Sequence, residues 1–136
     1  MFSPESHFLV VDDSSAVRSL VKQQLSALGF RNVVEAENGK EALEKLDGLY
    51  KAGVELHLLI VDWNMPEMNG IDLLLNLKNH EKYKTIPFLM ITSESETENV
   101  IKAIVLGVTD FVVKPFDENL LSEKLNAIWK RIHQKA

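Results

Sequence analysis

The sequence predicts an α/β fold: a doubly wound, parallel five-stranded sheet with helices on both faces, a (βα)5 arrangement. Five short apolar runs alternate with segments whose apolar residues recur at helical spacing, so that each strand is followed by a helix. The runs are apolar at consecutive positions, as in strands that are covered on both faces. For five such strands we expect the flavodoxin-like order 2-1-3-4-5.

The apolar runs give the predicted strands. They are His7–Asp12, Asn32–Ala36, Leu56–Val61, Pro87–Ile91 and Phe111–Val113. Residues that commonly cap helix N-termini precede the first three helices, and glycines follow the first and the fourth. The helices are expected to begin near Ser14, Asn38, Asn69 and Glu96, and a fifth carries Leu121, Leu125, Ile128 and Ile132. The segment Asp47–Gly53 is expected to be a small loop.

Composition limits the class of protein. The 136 residues suit one domain, and a hydrophobic content of 46% is enough for a sizeable core. A formal net charge of -5 argues against a nonspecific nucleic-acid binder, which needs a basic surface. The absence of cysteine excludes disulfides and thiolate chemistry. With no signal-peptide pattern and no apolar run near the roughly 20 residues of a membrane helix, we expect a cytoplasmic protein that does not engage membranes.

Three aspartates stand where two predicted strands end. Asp12 and Asp13 end the first strand, and Asp62 follows the third. In doubly wound sheets, ligands bind beyond the carboxyl ends of the strands where the strand order reverses, here between strands 1 and 3. Because neighbouring strands lie about 4.8 Å apart, the three carboxylates are expected to converge.

Two further polar residues stand at the same edge, Thr92 after the fourth strand and Lys114 after the fifth. A site with oxygen ligands only suits a hard cation, and few ligands with room for water favour Mg²⁺ over Ca²⁺. A carboxylate beside Mg²⁺ can attack phosphorus and form an aspartyl phosphate. A hydroxyl and an ammonium can then hold the phosphoryl oxygens.

At these residues the chain resembles the receiver domain of two-component response regulators, most closely the single-domain chemotaxis regulators. The likeness covers nearly the whole length, and five motifs in this order are highly specific although each alone is weak. The motifs are Val10-Val11-Asp12-Asp13, Asp62-Trp63-Asn64-Met65-Pro66, Met68-Asn69-Gly70, Ile91-Thr92-Ser93 and Lys114-Pro115-Phe116. The order 2-1-3-4-5 rests partly on this likeness, because it is the order of the family.

The resemblance implies how the site would hold its metal ion. Asp62 would be the phosphoacceptor and a ligand of Mg²⁺. Asp13 would bind the ion directly, and Asp12 mainly through water. Asn64 would contribute its backbone carbonyl.

The resemblance also implies the residues that respond to phosphorylation. Thr92 would hydrogen-bond the phosphoryl group, and Lys114 would pair with a phosphoryl oxygen or, before phosphorylation, with Asp62. Phe111 is either an aromatic switch that turns inward with the threonine or an ordinary core residue. A cis peptide before Pro115 is expected in the tight turn, since bonds preceding proline tolerate it.

The implied function is a phosphorylation-controlled binding module rather than an enzyme. A histidine kinase would phosphorylate the chain, which would then bind an output protein through the face of helix 4, strand 5 and helix 5. Helix 4 carries more apolar residues than one buried face needs, and we favour a mostly buried helix over a partner surface as the explanation. We expect residues 1–136 to form a single, monomeric receiver domain without nucleic-acid or membrane partners.

Several alternatives compete with this function. Helix or turn capping explains each aspartate alone but not the combination with Thr92 and Lys114. A Mg²⁺-dependent aspartyl-phosphate phosphohydrolase is disfavoured because Asn64 stands where haloacid-dehalogenase-type enzymes place an acid–base aspartate. A flavodoxin-like electron carrier is disfavoured by the anionic turn after the first strand, and the P-loop motif is absent. Within the receiver class, a free-standing chemotaxis-type regulator, a phosphorelay receiver and a receiver cut from a larger regulator all stay open.

Overall fold

The computed structural model contains one parallel sheet in the order β2-β1-β3-β4-β5, which confirms the predicted topology. It describes residues 1–63, 65, 68–93 and 97–133, and only the backbone of residues 97–100. The strands are β1 (His7–Val11), β2 (Asn32–Ala36), β3 (Leu58–Asp62), β4 (Phe88–Ser93) and β5 (Asp110–Lys114). The helices are α1 (Ser15–Ala27), α2 (Gly39–Lys51), α3 (Gly70–Lys78), α4 (Thr97–Leu106) and α5 (Glu118–His133).

Two apolar cores flank the sheet, one on each face. Alternate residues of a central strand contribute to opposite cores, so Leu9 packs with the α2 and α3 side while Phe8 packs with the α1 and α5 side. Every residue of β3 is buried as a result. This double coverage explains why the strand sequences are apolar at consecutive positions.

The register of the sheet brings the ends of three strands to one level. Val11 of β1 pairs with Val61 of β3, so that Asp12 and Asp62 follow side by side. Asp62 in turn pairs with Ile91 of β4, the residue before Thr92. The polar residues therefore leave the sheet at the same edge.

Side-chain caps begin the helices that follow β1, β2 and β3. The Ser14 hydroxyl accepts a hydrogen bond from the Val17 amide at 3.2 Å, and the Asn38 side chain accepts one from the Glu41 amide at 2.8 Å. The Asn69 side chain accepts one from the third amide of α3 at 2.9 Å. Each cap satisfies an amide that the helix itself leaves unpaired.

The prediction of a loop at Asp47–Gly53 is wrong, because α2 continues to Lys51. Leu49 packs against the core, and the Lys51 ammonium lies 2.9 Å from the Asp47 carboxylate one turn earlier. The helix ends only before Gly53, whose φ of 75° suits glycine. Packing and the ion pair thus extend the helix through most of the segment that was expected to be a loop.

The favoured prediction that α4 is mostly buried is also wrong. Ala103 is buried, but Ile101, Ile104 and Val105 are 64%, 55% and 78% exposed. The helix therefore presents three large apolar side chains to solvent. Among the described residues, no helix combines the length and apolar character that a membrane span requires.

Candidate functional site

Three carboxylates meet beyond the carboxyl ends of β1 and β3, as the sequence predicted. Asp12 and Asp62 are buried, with 1% and 6% of their surfaces exposed, whereas Asp13 faces solvent. One carboxylate oxygen from each residue lies within 4.8 Å of the other two. The cluster is thus open on the side of Asp13 and closed towards the sheet.

Lys114 brings a positive charge into this cluster from the end of β5. Its ammonium lies 3.3 Å from Asp62 Oδ1 and 3.8 Å from Asp12 Oδ2. The predicted pairing of Lys114 with Asp62 is therefore present in the structure. The Lys114-Pro115 peptide is cis, as expected. One ammonium nevertheless faces three carboxylates, so the cluster keeps an excess of negative charge.

Thr92 stands on β4 between the strands that carry Asp62 and Lys114. The residue is 1% exposed, and its hydroxyl donates a hydrogen bond to the Ser93 carbonyl at 3.4 Å. Its Cα pairs with Val113, one residue before Lys114. The structure thus places a buried hydroxyl-bearing residue at the edge where the sequence predicted it.

The first residue of α3 lies against the backbone at the end of β3. The Trp63 amide donates to the Ile91 carbonyl, and the Gly70 amide donates to the Trp63 carbonyl, both at 2.9 Å. A Cβ atom on Gly70 would lie 2.7 Å from the Asp62 carbonyl oxygen and 2.9 Å from Met90 Sδ. Glycine at this position therefore lets α3 begin directly against the strand end.

Burial dominates the electrostatics of the cluster. It raises the pKa of Asp62 to about 6; the neighbouring Asp12 raises it further, and Lys114 opposes both. Burial also raises the pKa of Asp12, although the Ser14 amide, which donates to Asp12 Oδ1 at 2.9 Å, opposes the change. Burial and mutual repulsion thus oppose the ionisation of Asp62 and Asp12, and a further cation at the site would favour it.

The donor set fits a hard divalent cation. Asp12 Oδ2 is buried and accepts no hydrogen bond from the residues that the structure describes. It belongs to a set of carboxylate oxygens close enough to share one ion, with no sulfur or imidazole among them. Such a set suits Mg²⁺, which takes a few carboxylates and completes its shell with water.

Two of the predicted site residues are not settled by this geometry. Asn64 lies outside the described residues, so its carbonyl as a ligand stays a prediction. Phe111 lies in β5, half-buried against the core, with the Lys124 ammonium 4.9 Å from its ring centroid. This position is compatible with a core residue and with a ring that turns, and the switch role stays a prediction.

Sequence reasoning missed Arg18, which contacts the site from α1. Its Nη1 donates to the Asp12 backbone carbonyl at 2.6 Å, and its Nε donates to Glu35 Oε1 at 3.2 Å. The only signal in the sequence is the position of Arg18, one turn after the helix cap Ser14. The types of residues in the sequence do not show that the long Arg18 side chain reaches the backbone at the end of β1.

A cavity of about 910 Å³ lies away from the aspartates, at the opposite edge of the sheet. The N-terminal segment, the loops that precede β3 and β4, and the end of α5 line it, with Phe2, His57, Tyr83 and Trp129 among the residues. It contains none of the three carboxylates and takes no part in their chemistry.

Comparison with known proteins identifies the class that this fold and site define. The family model of the response regulator receiver domain matches residues 8–126, so the chain belongs to that family. Chemotaxis protein CheY1 of Helicobacter pylori is 48% identical over 120 residues, which are 88% of this chain and 94% of the relative. Chemotaxis protein CheY-3 of Vibrio cholerae is 45% identical over 124 residues, 91% of this chain and 92% of the relative.

Solved structures agree with this assignment. The chemotaxis response regulator CheY4 of Vibrio cholerae superposes with a TM-score of 0.79 at 31% identity, covering 91% of this chain and 98% of that one. The signal receiver domain of a histidine kinase from Syntrophus aciditrophicus gives a TM-score of 0.80 at 27% identity, covering 96% and 95%. The chain is a receiver domain of two-component response regulators, a signalling module rather than a classical enzyme, and its relatives support a chemotaxis-related role.

Proposed function

We propose that this receiver accepts a phosphoryl group from a histidine kinase on Asp62 and thereby changes its affinity for an output protein in chemotaxis. Mg²⁺ would be held by Asp12, Asp13, Asp62 and the backbone carbonyl of Asn64. The observation that carries the proposal is the meeting of three carboxylate oxygens within 4.8 Å, beside the Lys114 ammonium. Carboxylates shared by a cation, with a fixed ammonium beside the nucleophile, are what phosphoryl transfer to an aspartate requires.

In this mechanism an Asp62 carboxylate oxygen attacks the phosphorus of a phosphohistidine. A new oxygen–phosphorus bond forms while the phosphorus–nitrogen bond breaks, and the imidazole nitrogen leaves with the electron pair. Mg²⁺ supplies charge neutralisation for the phosphoryl oxygens. Lys114, already 3.3 Å from Asp62, holds one phosphoryl oxygen, and the Thr92 hydroxyl hydrogen-bonds another. Water later hydrolyses the acyl phosphate and resets the site.

The exposed face of α4 supports the proposed output. Ile101, Ile104 and Val105 form apolar surface that the described residues leave uncovered, and α4 packs against β4, which carries Thr92. Large apolar groups grouped on one surface are typical of protein interaction sites. We propose that phosphorylation acts through Lys114 and Thr92 on this face, that residues 1–136 act as one monomeric receiver domain, and that the protein works in the cytoplasm.

Intact-mass measurement after treatment with acetyl phosphate and Mg²⁺ tests the phosphoacceptor directly. We expect a single phosphoryl adduct that disappears in Asp62→Asn and when the cation is chelated. Asp72→Asn is the matched control, because Asp72 is an exposed carboxylate on the adjacent α3 and lies outside the cluster. An adduct that persists in Asp62→Asn would refute the assignment, and continuous release of phosphate from many organic esters would favour a phosphohydrolase.

Binding of cell proteins in two states tests the output. Beryllium fluoride with Mg²⁺ mimics the acyl phosphate without turnover. We expect a partner that is retained more strongly in that state than in the untreated state. The Val105→Ser variant is expected to retain less of this partner. Identical partners in both states would contradict a phosphorylation-controlled switch.

A further inference from the structure

Arg18 joins three elements at the end of β1. From α1, its guanidinium reaches the backbone carbonyl of Asp12 at 2.6 Å and the carboxylate of Glu35 on β2 at 3.2 Å. Only 16% of the Arg18 side chain is exposed. A charge-assisted hydrogen bond of this length, made by a largely buried side chain with two partners, holds its acceptor strongly in place.

The carbonyl that Arg18 holds belongs to the peptide that joins Asp12 to Asp13. On the other side of Asp12, the amide donates to the Ala36 carbonyl at 3.1 Å, so both flanking peptides of this residue are fixed. A peptide group is planar, and fixing its carbonyl therefore also fixes the direction in which the chain enters Asp13. This support matters for Asp13, because its side chain is exposed to solvent and its direction depends on the backbone that carries it.

We propose that Arg18 is a positioning residue for the metal ion, a role that rests on the proposed function. By holding the Asp12-Asp13 peptide against Glu35, it keeps the Asp13 carboxylate within reach of Asp12 and Asp62 before the ion arrives. A ligand set that is already in place loses less conformational freedom when the ion binds. Support of this kind commonly changes metal affinity by about 10-fold to 100-fold when it is removed.

The sign of the effect separates positioning from simple electrostatics. If Arg18 acted only through its positive charge, neutralising it would strengthen the binding of a cation. Positioning predicts the opposite, because the ligands become less ordered. Lys22 offers a matched control: it is a cation on the same helix, it pairs with the same Glu35 at 3.6 Å, and its contact lies outside the aspartate cluster.

The test is a Mg²⁺ titration of the unphosphorylated protein, followed by the fluorescence of Trp63 in a Trp129→Phe background. Arg18→Lys keeps the positive charge but loses the planar guanidinium that donates to two acceptors at once. Arg18→Met loses the charge as well. We expect both variants to raise the dissociation constant about 10-fold, and Lys22→Ala to leave it within about twofold of the parent. Thermal melts confirm that each variant folds.

Phosphorylation by acetyl phosphate provides the second readout. At saturating Mg²⁺, we expect Arg18→Lys to regain most of the parent rate, because the defect lies in ion binding. An unchanged dissociation constant in Arg18→Lys, or tighter binding in Arg18→Met, overturns the positioning role. Asp13→Asn separates this failure from failure of the proposed function: if Mg²⁺ binding survives in Asp13→Asn, the metal site itself is wrongly assigned.

Discussion

Raising the pH in the absence of divalent cations is expected to destabilise the protein through Asp62. The pKa of this carboxyl is about 6 in the folded protein, against 3.8 in the unfolded chain, chiefly because of burial. The folded state therefore binds the proton more tightly than the unfolded state does. The resulting stabilisation is complete below pH 3.8 and is lost as the pH rises through about 6.

The size of the effect follows from the difference between the two pKa values. Each pKa unit corresponds to about 1.4 kcal/mol, so the free energy of unfolding is expected to fall by about 3 kcal/mol. Only 8% of the Asp62 side chain is exposed, so solvent screens little of this energy. For a domain of this size, the loss lowers the melting temperature by about 10 °C.

Comparison of the wild type with Asp62→Asn isolates this contribution, because asparagine does not titrate. With a chelator present, we expect urea denaturation to give Asp62→Asn a free energy of unfolding about 3 kcal/mol higher than that of the wild type at pH 8. At pH 4 the two free energies are expected to be nearly equal. Saturating Mg²⁺ should raise the free energy of unfolding of the wild type at pH 8 more than that of Asp62→Asn. A difference between the two proteins that stays flat from pH 4 to pH 8 would refute the reasoning.

Four further substitutions test packing, helix propensity, a helix cap and the exposed face. Gly70→Ala is expected to destabilise the protein by about 2 kcal/mol in urea denaturation, because the new Cβ meets the Asp62 carbonyl oxygen at 2.7 Å. Gly48→Ala, which meets nothing within 4 Å in α2, should instead stabilise by about 0.5–1 kcal/mol in the same assay. Asn38→Ala removes the cap of α2 and should cost about 1 kcal/mol. Val105→Ser should change stability by less than about 0.5 kcal/mol while weakening partner capture.

The sheet order and the meeting of the aspartates can be predicted from the sequence because both depend on connectivity. Short apolar runs joined by helices admit few topologies, and a residue at a strand end must appear at the sheet edge. Asp12, Asp62 and Lys114 therefore come together whatever the details of packing are. The roles assigned to them needed more than connectivity and came from the resemblance to a family.

Other features depend on forces that the sequence pattern does not display. Gly48 lowers helix propensity by about 1 kcal/mol, yet the packing of Leu49 and the ion pair of Lys51 carry α2 past it. The apolar residues of α4 do not reveal which of them face solvent, since that depends on how the helix lies on the sheet. Arg18 was missed because its contact is with a backbone carbonyl, which no residue type marks.

The charges of the site suggest how the proposed phosphorylation would change the structure elsewhere in the domain. Three carboxylates face one ammonium, so a divalent cation brings the cluster to formal balance. Converting the Asp62 carboxylate into an acyl phosphate then adds roughly one further negative charge in a mostly buried place. Lys114 is the cation already in contact, and it ends β5, which pairs with β4, the strand that α4 contacts. In the proposed mechanism, any movement of Lys114 towards the new charge therefore acts on β5 and, through β4, on the apolar face of α4.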